Sequence, residues 1–134
     1  MATVKRFEDL EVWQTARRLT NLVYQLTKEQ SFSEDFGLRD QIQRASVSVM
    51  SNIAEGFESR TQRLFIDFLG RARGSSGEVR SQLYIALGYI TRSQFDEAYD
   101  LADKASRQLH RLIRYLDAHP NANRIREDPP DYNI

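Results

Sequence analysis

Gln41, Arg44, Ser48, Asn52 and Glu55 follow one another at steps of three, four, four and three residues. At 3.6 residues per turn, this spacing sets amides, a hydroxyl, a guanidinium and a carboxylate along one side of a helix. Such groups can either lock the register between two helices or handle protons. Arg44 and Glu55 stand eleven residues apart, about 16 Å along a helix axis, too far to pair with each other. If buried, each needs a partner elsewhere, because an unpaired charge taken out of water is costly. A later segment offers Arg71, Arg73, Ser75, Glu78 and Arg80 at the matching height of an antiparallel helical hairpin. Arg44 with Glu78, and Glu55 with an arginine of that helix, are the expected pairs, with Arg44 and Arg73 assigned to the seam. The seam is read as structural, ahead of catalytic.

Other chemistries fail on residue type or spacing. The only histidines are His110 and His119, and neither has a glutamate three residues before it, as a di-metal helical bundle requires. With no cysteine, the chain has no thiolate metal site, disulfide or thiol nucleophile. The run Gly70–Arg71–Ala72–Arg73–Gly74–Ser75–Ser76–Gly77 superficially suggests a phosphate loop, but it lacks the Gly-Lys-Ser/Thr ending and follows no strand. The serines cluster far in sequence from the late histidines, so no Ser–His–Asp arrangement is supported. The expectation is a protein that is not an enzyme, with no cofactor and no metal.

Nineteen basic against nineteen acidic residues exclude a uniformly basic nucleic-acid binder. Local charge is another matter. Residues 61–92 hold five arginines against Asp67 and Glu78, whereas residues 119–134 are mildly acidic. Sixteen of the nineteen cations are arginine, whose planar fork suits both phosphate contacts and ion pairs. Arg17, Arg18, Arg60 and Arg63 are the solvated candidates for nucleic acid.

The elements that position these groups are helical. All three prolines, Pro120, Pro129 and Pro130, lie at the C-terminal end. Four amphipathic segments are predicted, at about 8–29, 38–57, 61–92 and 94–117, with Ser59 or Thr61 and then Ser93 as candidate N-caps. Short connections between long helices predict an all-α, antiparallel up-down-up-down four-helix bundle over residues 1–117, followed by a polar, mobile tail over 118–134. On the second helix Leu38, Ile42, Ala45, Val49, Ile53 and Gly56 form the core stripe, with Gly56 also suited to a C-terminal cap. Val47, Met50, Ala54 and Phe57 lie almost opposite. Either that helix is buried on two sides or, the preferred reading, its second face contacts another subunit. No stretch approaches the roughly 18 apolar residues of a membrane span, and the chain is expected to be cytoplasmic with no membrane partner.

Phe7–Gln14, Gly37–Val49, Ser51–Phe57 with its Ser-Asn-Ile-Ala-Glu-Gly run, and Phe68-Leu69, Ala72–Ser75 and Glu78 together resemble the four-helix-bundle family of proteins encoded in 23S ribosomal RNA intervening sequences. That family is in turn similar to the accessory protein of diversity-generating retroelements. The resemblance spans about residues 7–90. It implies a homo-oligomer, with a pentameric ring favoured, lacking catalytic activity, whose positive surface engages RNA or DNA and whose partner is a reverse transcriptase. The alternative is a structural or protein-interaction ring without direct nucleic-acid contact. This chain departs from the pattern at Ser33 and Met50 and by adding Gly70 and Gly77 beside Gly74-Ser75. Three glycines in one helix weaken it unless helices approach closely there, which is the expected compensation. A ring repeats each exposed arginine around its axis, so a weak patch becomes a stronger field.

Overall fold

No proline interrupts the chain before position 120, and good capping residues stand at the breaks between apolar stripes. The computed structural model describes residues 4–120, and among these it is all-α, with five helices and no strand. A 3-10 turn over Phe7–Asp9 leads into α1 (Glu11–Leu26), α2 (Gln30–Glu34), α3 (Phe36–Glu58), α4 (Gln62–Ala86) and α5 (Arg92–Ala118). Helix α1 packs on α3 and α5, and α4 packs on the same two helices, so α1 and α4 face each other across the bundle. Residues 121–134, most of the predicted tail, lie outside the described residues; Ala118 still belongs to α5.

Element boundaries differ from the periodicity reading where a local interaction outweighs it. The first helix starts at Glu11 because Phe7–Asp9 closes as a 3-10 turn, with the Leu10 N–H donating to the Phe7 carbonyl at 3.0 Å. Residues 30–34 form α2 in place of a turn, since Phe32 is buried and stacks on Tyr89 at 5.4 Å. Asp35 caps α3 by accepting from Leu38 N–H at 3.1 Å and also accepts from the Tyr89 hydroxyl at 2.7 Å. The Tyr89 bond and then the Leu38 bond hold the Asp35 carboxyl below its ordinary pKa, while the carboxylate raises that of Tyr89. Thr61 caps α4 through Leu64 N–H. The third long helix ends at Ala86, short of Arg92, because Thr91 and Gln94 close a capping box that starts α5; Ser93 is inside that helix.

The expected core stripe of α3 is buried from Leu38 to Gly56. Gly56 acts through size: a Cβ there would lie 2.8 Å from Phe68 Cβ, 2.9 Å from Phe65 Cδ1 and 3.2 Å from the Phe65 carbonyl oxygen. Close approach of α3 and α4 therefore depends on the missing side chain. The three glycines of α4 do not serve that purpose. Added Cβ atoms at Gly70 and Gly74 would meet nothing within 4 Å, and one at Gly77 would meet only the end of the Arg80 side chain at 3.7 Å.

Candidate nucleic-acid interface

Helix α4 presents one flank to α3 and the other to α5. On the α3 flank the polar seam is real, but its chemistry is hydroxyl and amide. Ser48 and Ser75 share a hydrogen bond of 2.8 Å, and Asn52 Nδ2 donates to both the carbonyl and the hydroxyl of Ser48 at 2.8 and 2.9 Å. Gln82 Nε2 points at Gln41 Oε1 at 3.5 Å, the limit of a weak bond. The expected ion pairs do not form: Arg44, Glu55 and Glu78 are all exposed, and none has a salt-bridge partner among the described residues. Solvation satisfies these charges at lower entropic cost than pinning long side chains together. Arg73 is a second correction, because it lines the groove on the other flank of α4.

That groove, between α4 and α5, has a volume of about 240 Å³. Arg73 and Arg80 enter it from α4, and Asp103, Arg107, His110 and Arg111 from α5. One carboxylate serves two guanidiniums: Asp103 Oδ1 lies 3.3 Å from Arg80 Nη1 and Asp103 Oδ2 lies 3.1 Å from Arg107 Nε. Four arginines against one aspartate leave three positive charges in excess. Each guanidinium has five N–H donors, and Asp103 uses only part of that set. Arg80 Nε is buried with no hydrogen-bond partner, so the desolvated side of the cleft retains an unspent donor. The floor is closed by Ser106 Oγ donating to Ser76 Oγ at 3.0 Å and Ser76 Oγ donating to the Ala102 carbonyl at 2.6 Å. These buried hydroxyls brace the helices, leaving the arginines as the groups that face solvent.

The four arginines singled out for nucleic acid are all exposed but scattered. Arg17 lies over the Trp13 ring at 5.9 Å and Arg18 donates to Thr15 Oγ1 at 3.4 Å, both on α1 and across the bundle from α4. Arg60 is in the α3–α4 connection. Arg63 lines a separate groove with Leu116 and Asp117, near the start of α4. Arg107 and Arg111 are not among the sequence candidates, and Arg80 is expected only as a possible seam partner, because the spacing within one helix does not show which flank of α4 meets the last helix. A signal was present: Arg107, Arg111 and Arg114 recur at steps of four and three on one face of α5, as Arg73 and Arg80 do at seven on α4.

The subunit-contact stripe is also shortened. Val47 is 36% exposed and shares a groove with Tyr24 and Arg44, whereas Met50 and Ala54 are half-buried. Phe57 is 1% exposed and packs edge-to-face on Phe65 at 5.9 Å, so it is a core residue of its own chain. The physical reason is the N-terminal segment: Val4 and Leu10 join Phe57, Ile53 and Phe65 in one buried cluster, and the 3-10 turn packs on α3. No helix among the described residues is long and apolar enough to cross a membrane, and no group of His, Asp and Glu there could hold a metal ion.

With this geometry in place, comparison with known proteins adds two findings. A sequence family described as 23S rRNA-intervening sequence protein matches residues 8–111. A crystal structure from Bacteroides thetaiotaomicron, described as a protein with unknown function from the S23 ribosomal protein family, is 27% identical, with a TM-score of 0.66 over 77% of this chain and 94% of that one. No curated protein matches the chain.

Proposed function

Since the chain belongs to the 23S rRNA-intervening sequence protein family, we propose that it is a non-enzymatic, cytoplasmic helical bundle that binds the phosphate backbone of RNA or DNA through the α4–α5 cleft. The observation that carries this reading is that Arg73, Arg80, Arg107 and Arg111 line one groove whose single carboxylate, Asp103, pairs with Arg80 and Arg107. A planar guanidinium oriented by a carboxylate keeps its remaining donors aimed outward, which suits bidentate phosphate contact. Arg18 and Arg17 on α1, with Arg60 and Arg63 near the start of α4, supply weaker positive ground elsewhere on the surface. Fluorescence-anisotropy titration with labelled RNA and DNA at several salt concentrations tests the reading. Affinity should fall steeply with salt, and Arg107→Gln should lower both the affinity and the salt slope, the slope by about one contact's worth. Absence of binding at low salt overturns it.

The proposal extends to assembly. The order of cross-helix contacts, Ser48 to Ser75 and Gln41 to Gln82, then Ser76 to Ala102 and Gln62 to Leu116, supports antiparallel up-down-up-down packing of the long helices. Homo-oligomerisation into a ring, a pentamer favoured, uses the Val47 face of α3, where Tyr24 at 41% exposed adds to the apolar ground. A ring would repeat the arginine cleft and strengthen its field. A reverse transcriptase is the protein partner this reading carries, by likeness to the retroelement accessory protein. The same Val47–Tyr24 groove favours the second reading, a protein-interaction ring without nucleic acid. Light scattering should show an oligomer at micromolar concentration that Val47→Glu dissociates; a monomeric wild-type chain contradicts the assembly.

A further inference from the structure

The arginine cleft continues along α4 into an aromatic cluster that the charge argument does not use. Tyr84 lies four residues beyond Arg80, about 6 Å along the helix axis and on the same flank. It is 60% exposed, whereas Phe95 beneath it is 4% exposed. The Tyr84 ring meets Phe95 edge-to-face at 5.2 Å and Tyr99 at 5.9 Å, and those two rings stack on each other at 5.5 Å. Arg92 closes the far side, its guanidinium 5.3 Å from the Phe95 ring centre. Interaction with the neighbouring Tyr99 hydroxyl raises the Tyr84 pKa, while the charges of Arg92 and Arg80 pull the other way. Both arginines therefore lie within electrostatic reach of the same ring. An exposed tyrosine held by two aromatic neighbours is a surface needing little ordering on contact.

Resting on the nucleic-acid reading above, we propose that the cleft takes single-stranded RNA or DNA, with phosphates on Arg73, Arg80, Arg107 and Arg111 and a base stacked against Tyr84. A duplex offers its phosphates to such a cleft, but its base faces are already stacked within the helix. A single strand offers both. Arginines followed by an exposed ring along one track thus match the unpaired form better than the paired one. The sequence of the strand is not read, since every base has a face to stack.

The test is anisotropy with labelled oligouridylate and oligothymidylate of about twelve nucleotides, a length in the range such single-strand sites cover, beside RNA and DNA duplexes of the same length. Tyr84→Leu should weaken single-strand binding by about tenfold, within the range base–aromatic stacking supports. It should leave duplex binding and the salt slope unchanged, since no phosphate contact is lost. Tyr84→Phe, which keeps the ring, should retain most of the affinity. Arg107→Gln should weaken both forms and lower the slope. Circular dichroism confirms that the exposed-site variants remain folded. Equal loss on single strand and duplex, or no loss with Tyr84→Leu, overturns the stacking proposal while leaving phosphate binding intact. Absence of binding to every probe at low salt overturns the nucleic-acid reading itself, and this proposal with it.

Discussion

The two flanks of α4 are both polar and have opposite character. Toward α3, Ser75 and Ser48 satisfy each other, Asn52 closes on Ser48, and the backbones come close enough at Gly56 to exclude a methyl group. Toward α5, the inner layer is satisfied by Ser76 and Ser106, but the outer layer gathers four arginines over one aspartate. Hydroxyls and amides are neutral and short, so they can be matched between helices without stranding charge. Guanidiniums are long and always charged, and they reach the rim where water or an anion completes their bonding. The difference separates groups whose work is finished inside the protomer from groups with donors left over. The proposed phosphate-binding cleft lies on the flank that the regular seam of α3 does not mark.

The largest stability effect should come from the close contact on the α3 flank. Gly56→Ala forces a methyl group into Phe68 Cβ, Phe65 Cδ1 and the Phe65 carbonyl. Overpacking of this kind costs about 1–3 kcal/mol, more than alanine recovers in helix propensity. Urea denaturation followed by circular dichroism should show a lower midpoint at unchanged slope. A midpoint equal to wild type would mean that α3 and α4 are not held as closely as the contact distances require.

The opposite sign is expected a few turns away. Gly70→Ala and Gly74→Ala place their methyl groups in open space, so each should raise stability by about 1 kcal/mol through helix propensity alone. The same denaturation experiment reads it. Loss of stability at either position would show that another surface, such as a second copy of the chain, lies against this face of α4. The pair of results contrasts a glycine required by packing with glycines that no contact within the chain requires.

Period-3.6 spacing revealed the parts of this molecule that depend on one helix at a time. Leu38, Ile42, Ala45, Val49 and Ile53 share a face whatever lies opposite, and they are buried as the wheel requires. Ser59 and Thr61 were both visible as candidate caps before a long apolar pattern, and Thr61 is the one that accepts from the Leu64 N–H. Features that depend on which helices are neighbours were not visible. Arg73 could face α3 or α5, and only the packing of α5 against α4 decides it. Phe57 belonged to a second apolar face of α3, but the buried cluster with Val4 and Leu10 is a tertiary contact that wheel geometry cannot contain. The arginine cleft depends on the same helix pairing that decides Arg73, since it is made from two helices whose cationic stripes are unremarkable singly.

The smallest effect tests the seam directly. Arg44 and Glu55 are exposed and make no salt bridge with described residues, so Arg44→Ala and Glu55→Gln should each change stability by no more than about 0.5 kcal/mol. Ser75→Ala, although it removes a single oxygen, should cost about 1 kcal/mol because the Ser48 hydroxyl loses its partner across the helices. Thermal melts of the three variants, run side by side in low and moderate salt, check the ranking. Salt should leave the Ser75 effect unchanged, since neither hydroxyl is charged. If either charge variant proves the costlier and its cost shrinks in salt, the seam is electrostatic after all. The contrast drawn between the two flanks of α4 then fails on the α3 side, where the hydrogen-bond geometry makes its most definite claim.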